Sequence, residues 1–395
     1  MNVLVLCLRY PFPLTDGEAL RIFNYVKELG GKHVFDLVCL AKGPVPEPIA
    51  KIFRRVETVH VTGHPVTKAP LLKLADALSV DSFLPRFPEM EAYLERILVQ
   101  RKYDLIWTAT DLAYCMSAER GVPVLMDVVD DMVLQYRREL MLAKSPKQYV
   151  VRAKRLVLAR AYEKRYFAPS AACLFVAEED ASCFKAFAPE ARVEVIANGV
   201  DERFYAPCDP TLEEPVIVFE GSMSFGPNAD AAVYLCEEIL PLVLAKRPDV
   251  RVTIVGRDPP ARVKTLANER ITVTGFVPDV RPYFVNAAVF VCPLRFGAGI
   301  KNKILQAWSM KKAVVATPVS VGGLKYVEGK NLLVRDTPRA LADAVVDLLG
   351  DVGRRRQLAS GGRATVVEHY AWRAKAAELE RLMLSLARGR VHAAA

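Results

Sequence analysis

Four short loops carry the residues best suited to hold a phosphate, and each follows an apolar, β-branched run. Glu220-Gly221-Ser222-Met223 follows Val216–Phe219 and leads on to Asn228; Gly256-Arg257-Asp258 follows Thr253–Val255. Gly275-Phe276-Val277 follows Ile271–Thr274, and Gly297-Ala298-Gly299-Ile300-Lys301-Asn302-Lys303 follows Val289–Cys292. One glycine turn is an ordinary connection. Four at successive strand ends, two of them with cations, point to a phosphate-bearing ligand. The last loop is the sharpest. Gly297 and Gly299 permit close backbone approach, a helix expected to begin near Ile300 offers free N–H groups and its positive end, and Lys301 and Lys303 add charge. That combination suits a diphosphate. No G-x-x-x-x-G-K-[ST] run occurs, which leaves an ATPase unsupported, and the first βα turn lacks G-x-G-x-x-G, which argues against a nicotinamide cofactor.

The first half is less specific. After Val3–Leu8 comes a Pro-rich loop holding Arg9, Tyr10, Asp16 and Gly17, with Arg21 in the next helical turn. On its own this is an ordinary βα loop, and Arg9 and Tyr10 read more readily as structural. Asp127, Asp130 and Asp131 lie at the end of the run Pro123–Val128. They could contact a sugar or take a proton from a hydroxyl, or Asp130 or Asp131 could cap a helix over Met132–Leu140; the sequence leaves both open. The five histidines and eight cysteines form no metal-spaced cluster and no C-x-x-C pair. A His/Cys metal site is not expected, and the thiols read as reduced and largely buried.

Positioning these loops takes short strands alternating with helices, the pattern of parallel sheets covered on both faces. In the first half the expected strands are Val3–Leu8, Val34–Leu40, Glu57–Val61, Leu105–Ala109, Pro123–Val128, Ala172–Val176 and Val193–Ile196. In the second they are Val216–Phe219, Arg251–Val255, Ile271–Thr274, Ala288–Cys292, Ala313–Ala316 and Asn331–Val334. Helices are expected over Ala19–Leu29, Ala69–Leu84, Glu89–Gln100, Lys144–Tyr166, Ala231–Leu240 and most of Ala340–Leu386. The chain of 395 residues exceeds what one core usually serves. The reading is an N-terminal domain over 1–205, a Pro-rich acidic linker over 206–215, a second domain over 216–368 and a terminal helix over 369–390. The longest stretch without a charged side chain, Pro282–Leu294, has 13 residues and is too short to span a bilayer. Met1–Leu8 reads as a strand, not a signal peptide, so a cytoplasmic protein is expected.

Net charge is +9, from 54 Lys and Arg against 45 Asp and Glu, which favours an anionic partner without naming it. Much of the excess lies in Lys144–Tyr166. A solvated helix face is the plainer reading of that helix; docking on anionic lipid at the inner membrane face, with Lys68 and Lys73, is the sharper one. The basic residues are not interleaved with stacking aromatics, so nucleic acid is not expected.

The second half resembles the nucleotide-sugar domain of GT-B glycosyltransferases, and within them glycosyltransferase family 4, closest to bacterial exopolysaccharide and lipopolysaccharide sugar transferases. Ile196-Ala197-Asn198-Gly199-Val200-Asp201 with Phe204 and Pro207, Phe219–Met223 with Pro227-Asn228, Val255–Pro259, Gly275–Val280, Val314–Thr317 with Gly322-Gly323-Leu324, and His369-Tyr370-Ala371-Trp372 follow the family's order. The likeness is strong over roughly 195–385 and weak before it. It implies an α/β fold of two doubly wound, Rossmann-like domains facing across a cleft, with the terminal helix packed back on the first. It also implies transfer of a sugar from a UDP- or GDP-sugar donor to a glycan or lipid-linked acceptor, retaining and without metal or other cofactor.

In that scheme Lys303 is the main diphosphate cation, aided by Gly299 and Ile300 N–H groups, with Lys301 or Arg257 second. Phe276 and Val277 border the base, and Asn228 orders the Gly221–Ser222 turn, alongside Gly256 and Gly297. Asp16, Gly17, Arg21 and Asp131 fall on the acceptor side, with Asp130 a candidate base. Trp308 and Trp372 read as packing residues. Two departures stand out: Ala298 and Gln306 occupy positions where many members carry glutamates, and Thr108-Ala109-Thr110-Asp111 stands where an acceptor-side histidine is usual. These leave two rivals, a catalytically inactive GT-B partner in a glycan assembly complex and a GT-B nucleotide-sugar epimerase.

Overall fold

The computed structural model describes the whole chain except residues 15, 62–79, 81–82, 117–120, 142, 144, 209–213, 298 and 394–395. The chain divides into two compact units: Met1–Ala197 together with Arg373–Ala395, and Asn198–Trp372.

In the first unit the strands are β1 Asn2–Cys7, β2 Val34–Cys39, β3 Arg55–Thr58, β4 Leu105–Ala109, β5 Val124–Val129, β6 Ala172–Phe175 and β7 Val193–Val195. They form one parallel sheet in the order β3-β2-β1-β4-β5-β6-β7. Strands buried on both faces need continuous apolar runs, and Val3–Cys7, Leu105–Ala109 and Ala172–Phe175 are fully buried. The helices are α1 Gly17–Leu29, α2 Glu47–Ile52, α3 Pro88–Gln100, α4 Met132–Met141, α5 Pro146–Tyr166 and α6 Glu178–Lys185. Leu4 and Leu6 pack on one side of β1 with Met90, Leu94 and Ile97 of α3 and Tyr162 and Tyr166 of α5. Strand β3 lies two residues earlier than expected. Its first residue pairs with Asp36 of β2, and that buried carboxylate takes Arg54 at 2.7 Å and Arg55 at 3.5 Å. Lys68, Lys73, Lys144 and most of the helix expected over Ala69–Leu84 lie outside the described residues.

The second unit holds β8 Glu214–Glu220, β9 Arg251–Val255, β10 Ile271–Val273, β11 Ala287–Cys292, β12 Ala313–Ala316 and β13 Leu333–Val334, parallel in the order β10-β9-β8-β11-β12-β13. Its helices are α7 Gly226–Tyr234, α8 Leu240–Leu244, α9 Ala261–Lys264, α10 Arg281–Asn286, α11 Asn302–Ser309, α12 Pro338–Gly350 and α13 Val352–His369. Between α7 and α8 the chain makes a π turn over Leu235–Ile239, and the Leu240 N–H bonds the Leu235 carbonyl. Pro241 follows, and its missing N–H removes one bond from a regular α ladder there. The last helix, α14 Trp372–Ala393, belongs to the first unit from Arg373 on. There Glu380 pairs with Lys32 at 2.7 Å and with His33 at 3.0 Å.

Both sheets are doubly wound. Strand order reverses between β1 and β4 in the first and between β8 and β11 in the second, and loops at the carboxyl ends of such strands open a crevice for ligands.

Candidate functional site

In the second unit the loops after β8, β9 and β11 meet at that reversal. Gly256 has φ +154°, and a Cβ there would lie 1.7 Å from the Gly221 carbonyl oxygen. A Cβ on Gly221 would lie 2.4 Å from Lys303 Nζ and 2.7 Å from Asn228 Nδ2. The two glycines are therefore what lets the loops touch and the Lys303 ammonium enter between them. Lys303 Nζ donates to Asn228 Oδ1 at 2.6 Å and lies 4.9 Å from the centre of the Phe219 ring. Asn228 Nδ2 donates in turn to the Ser222 carbonyl at 2.9 Å. The asparagine thus orders the Gly221–Ser222 turn and aims the lysine in one step. Asn198 Nδ2 donates to Asn302 Oδ1 at 2.9 Å, fixing the first residue of α11.

Gly297 (φ +128°) and Gly299 (φ +68°) both use the left-handed region. Helix α11 starts at Asn302, two residues later than expected, because the chain through Gly299-Ile300-Lys301 is still turning. Its first internal bond runs from the Ile304 N–H to the Lys301 carbonyl at 2.9 Å, leaving earlier N–H groups outside the ladder. Lys301 is buried and donates from Nζ back to the Gly299 carbonyl at 2.5 Å, so it staples its own loop. Arg257 is the more open second cation, with Nε donating to Ser222 Oγ at 3.3 Å. Ile300 is buried, Val277 half-buried, and Phe276 is 71% exposed on the turn after β10. Gln306 sits one turn after Lys303 on the same face of α11, and its buried Oε1 has no hydrogen-bond partner among the described residues. Trp308 and Trp372 are packing residues: each ring fills the space over a glycine, Gly362 and Gly199 respectively.

Glu220, which sequence reasoning passed over, ends β8 between Phe219 and Gly221. Burial raises its carboxyl above the ordinary carboxylate range, opposed by the charge of Lys303. An acid directly after the apolar run Val216–Phe219 was the available signal.

In the first unit Asp16 caps α1, accepting from the Ala19 N–H at 3.0 Å, and pairs with Arg9 at 2.6 Å. A Cβ on Gly17 would approach Val129 Cγ1 to 3.3 Å. Val129 itself has φ +62°, rare for a β-branched residue, and the Asp130 N–H bonds the Val128 carbonyl across it at 2.8 Å. Asp130 is exposed after this strained turn.

Two expectations are corrected. Arg21 is fully buried, with Nε donating to both carboxylate oxygens of Asp127 at 3.1 Å and Nη1 to the Ile196 carbonyl at 3.0 Å; it locks α1 to β5 and does not face a ligand. Asp131 is also fully buried and caps α4, accepting from the Leu134 N–H at 2.5 Å while its own N–H bonds Asp180. The Met132 N–H bonds Glu163 Oε1, and burial pushes both the Asp131 and Glu163 carboxyls up. Glu18, unremarked in the sequence, is pushed up to about 8 by burial, with Asp111 and Asp16 adding to it. Among the described residues, no group of three or more His, Cys, Asp or Glu could hold a metal.

Residues 214–351 match the family model of the glycosyl transferases group 1. The matched segment lies within the second unit and is similar to the glycosyl transferases group 1. The chain is 30% identical to alpha-maltose-1-phosphate synthase of Mycolicibacterium smegmatis over 46% of this chain and 54% of the relative, so it spans about half the length of that protein. Among solved structures, sucrose-phosphate synthase of Thermosynechococcus elongatus superimposes with TM-score 0.73 at 17% identity, covering 98% of each chain. The Anabaena protein HepE in complex with UDP and glucose does so with TM-score 0.70 at 15% identity, covering 97% of this chain and 99% of that one. The fold of the chain is therefore GT-B. In it the Gly221, Gly256 and Gly297–Lys303 loops all belong to the matched segment.

Proposed function

We propose that this chain is a glycosyltransferase. It moves a sugar from a UDP- or GDP-sugar to a glycan or lipid-linked acceptor in the cytoplasm, with retention of anomeric configuration and without a metal. The observation that carries the proposal is the Lys303–Asn228–Ser222 relay, a positioned ammonium reached through two glycines. Such a cation matches the charge that develops on a diphosphate as the bond to the sugar breaks, and stabilising that charge needs no carboxylate nucleophile. The α11 N-terminus adds its positive end beside the same atoms. Gln306 supplies a buried acceptor one turn away, suited to a donor hydroxyl. The UDP in the HepE structure and the match to the group 1 family model support the donor class. On this reading the acceptor hydroxyl bonds the anomeric carbon as the diphosphate leaves and takes the proton.

Calorimetric titration with UDP, GDP, ADP and CDP tests it. Wild type binds one base selectively. Lys303→Ala weakens that binding about 10- to 100-fold, the loss expected for a hydrogen bond to a charged group. Absence of binding to every nucleotide would overturn the proposal in favour of an inactive partner protein.

A further inference from the structure

Helix α5 holds seven Lys and Arg and one acid, Glu163, which is buried. A merely solvated face would account for the charge, but not for what lies between the charges. Val150 is 66% exposed and Val157 67%, seven residues apart and so on one side of the helix. Lys147, Lys154 and Lys164 fall at the flanking positions of the same stripe, and all three are exposed. Among the described residues no carboxylate is in ion-pair range of these lysines. Tyr149 lies next to Val150 at 56% exposure, while Val151, at 47%, is seven residues before Leu158 and so on the core side. The opposite side of the helix is spent on the core through Leu158, Ala159, Tyr162 and Tyr166. By contrast Arg152, Arg160 and Arg165 are engaged within the unit, Arg152 with the Glu139 carbonyl and the other two over the Phe187 and Tyr166 rings. The stripe is thus an alternation of aliphatic groups and ammonium groups facing outward, the latter without a carboxylate partner among the described residues.

We propose that this face of α5 docks on an anionic lipid bilayer, Val150, Val157 and Tyr149 entering the headgroup layer and the three lysines meeting lipid phosphates. Lysines on long stems keep their charge at the interface while apolar neighbours go deeper. A second copy of the chain is a poorer occupant, because a two-fold contact through this stripe would set lysine against lysine. Nucleic acid would satisfy the lysines and leave the valines unpartnered. The proposal is independent of the transferase reading, since neither donor nor acceptor enters its test.

The test is co-sedimentation of the full chain with vesicles of phosphatidylcholine alone and of equal parts phosphatidylglycerol and phosphatidylcholine. The chain sediments with the mixed vesicles only, less so as salt is raised. Each Lys→Gln change at 147, 154 or 164 weakens binding about fivefold, and the triple change on the order of a hundredfold. Val150→Asn with Val157→Asn weakens it with no change of charge, whereas Arg203→Gln, at an exposed cation of the second unit, leaves it intact. All these side chains are exposed, and circular dichroism checks the fold of each variant. The proposal is overturned by absence of binding to the mixed vesicles, by equal binding to phosphatidylcholine, or by triple-lysine or double-valine variants that bind like wild type. A wild-type dimer that the valine changes dissociate, with no lipid binding, would assign the face to a second copy instead.

Discussion

Lys303 is held by an amide and a ring, and its charge acts on the Glu220 carboxyl, which burial keeps toward the protonated form. This pairing has a consequence for ligand binding. A protonated Glu220 leaves the ammonium fully available to an anion; an ionised one offsets it and repels the anion directly. Because the carboxyl is raised, it stays protonated into a range where an ordinary glutamate has ionised, and loses its proton as pH climbs through the raised value. Nucleoside diphosphate affinity of wild type therefore falls with rising pH in that window, and Glu220→Gln removes this component. Calorimetric Kd measured against pH in both proteins isolates it, because titration of the diphosphate itself is common to the two; parallel curves would exclude the role. Tyr205 and Cys292 also face Glu220, and burial raises both of them, so neither supplies competing charge near neutrality. The lysine and the glycines were readable in the sequence as local loop chemistry, and the part of Asn228 only through the family resemblance. Glu220 showed only as an acid directly after an apolar run and Glu18 not at all, since what raises their carboxyls is burial contributed by residues far away in the chain.

At the scale of elements, the strands were legible because a parallel strand covered on both faces announces itself as an apolar run, as Val3–Cys7 and Ala288–Cys292 do. The π turn ahead of Pro241 and the two-residue offset of β3 were not, since each depends on hydrogen-bond accounting that pattern does not display. The loops at strand ends were harder still. Arg21 and Asp131 carry the residue types of a ligand site, and only the partners they meet, 106 residues along the chain for Arg21, reveal them as a helix lock and a helix cap. That distinction is measurable. Removing one partner of a fully buried ion pair leaves an uncompensated charge, so Arg21→Ala lowers stability by about 3–5 kcal/mol in chemical denaturation of the first unit. Arg21→Met combined with Asp127→Leu replaces the pair with apolar volume and recovers much of the loss. An Arg21→Ala protein of unchanged stability with altered acceptor use would restore the ligand role that the burial of this side chain denies it.

The molecule as a whole is built so that its first unit is completed by its last helix. Trp372 still belongs to the second unit, its ring filling the space over Gly199, while from the next residue the chain is part of the first. Helix α14 buries Ala376, Leu379, Leu382, Met383 and Leu386 and is tied by Glu380 to Lys32 and His33 and by Ser385 to Arg192. The ion pairs are partly exposed and contribute on the order of 1 kcal/mol at most. The apolar side chains dominate, because burying each of the four large ones stabilises by about 1.5–3 kcal/mol. A helix at the end of the chain is visible in the sequence, but its return to the first domain was implied by the family resemblance alone, since the surface that takes it is assembled from residues more than 180 positions earlier. Leu379→Ala resolves it. Leu379 is fully buried, so the change costs about 2–5 kcal/mol, a large part of a domain's net stability. Hydrogen exchange then shows lowered protection at core amides of Met1–Ala197, β1 and β2 among them, while β8, β9 and β11 exchange as in wild type. Lowered protection confined to Asn198–Trp372 would instead assign the helix to the second unit.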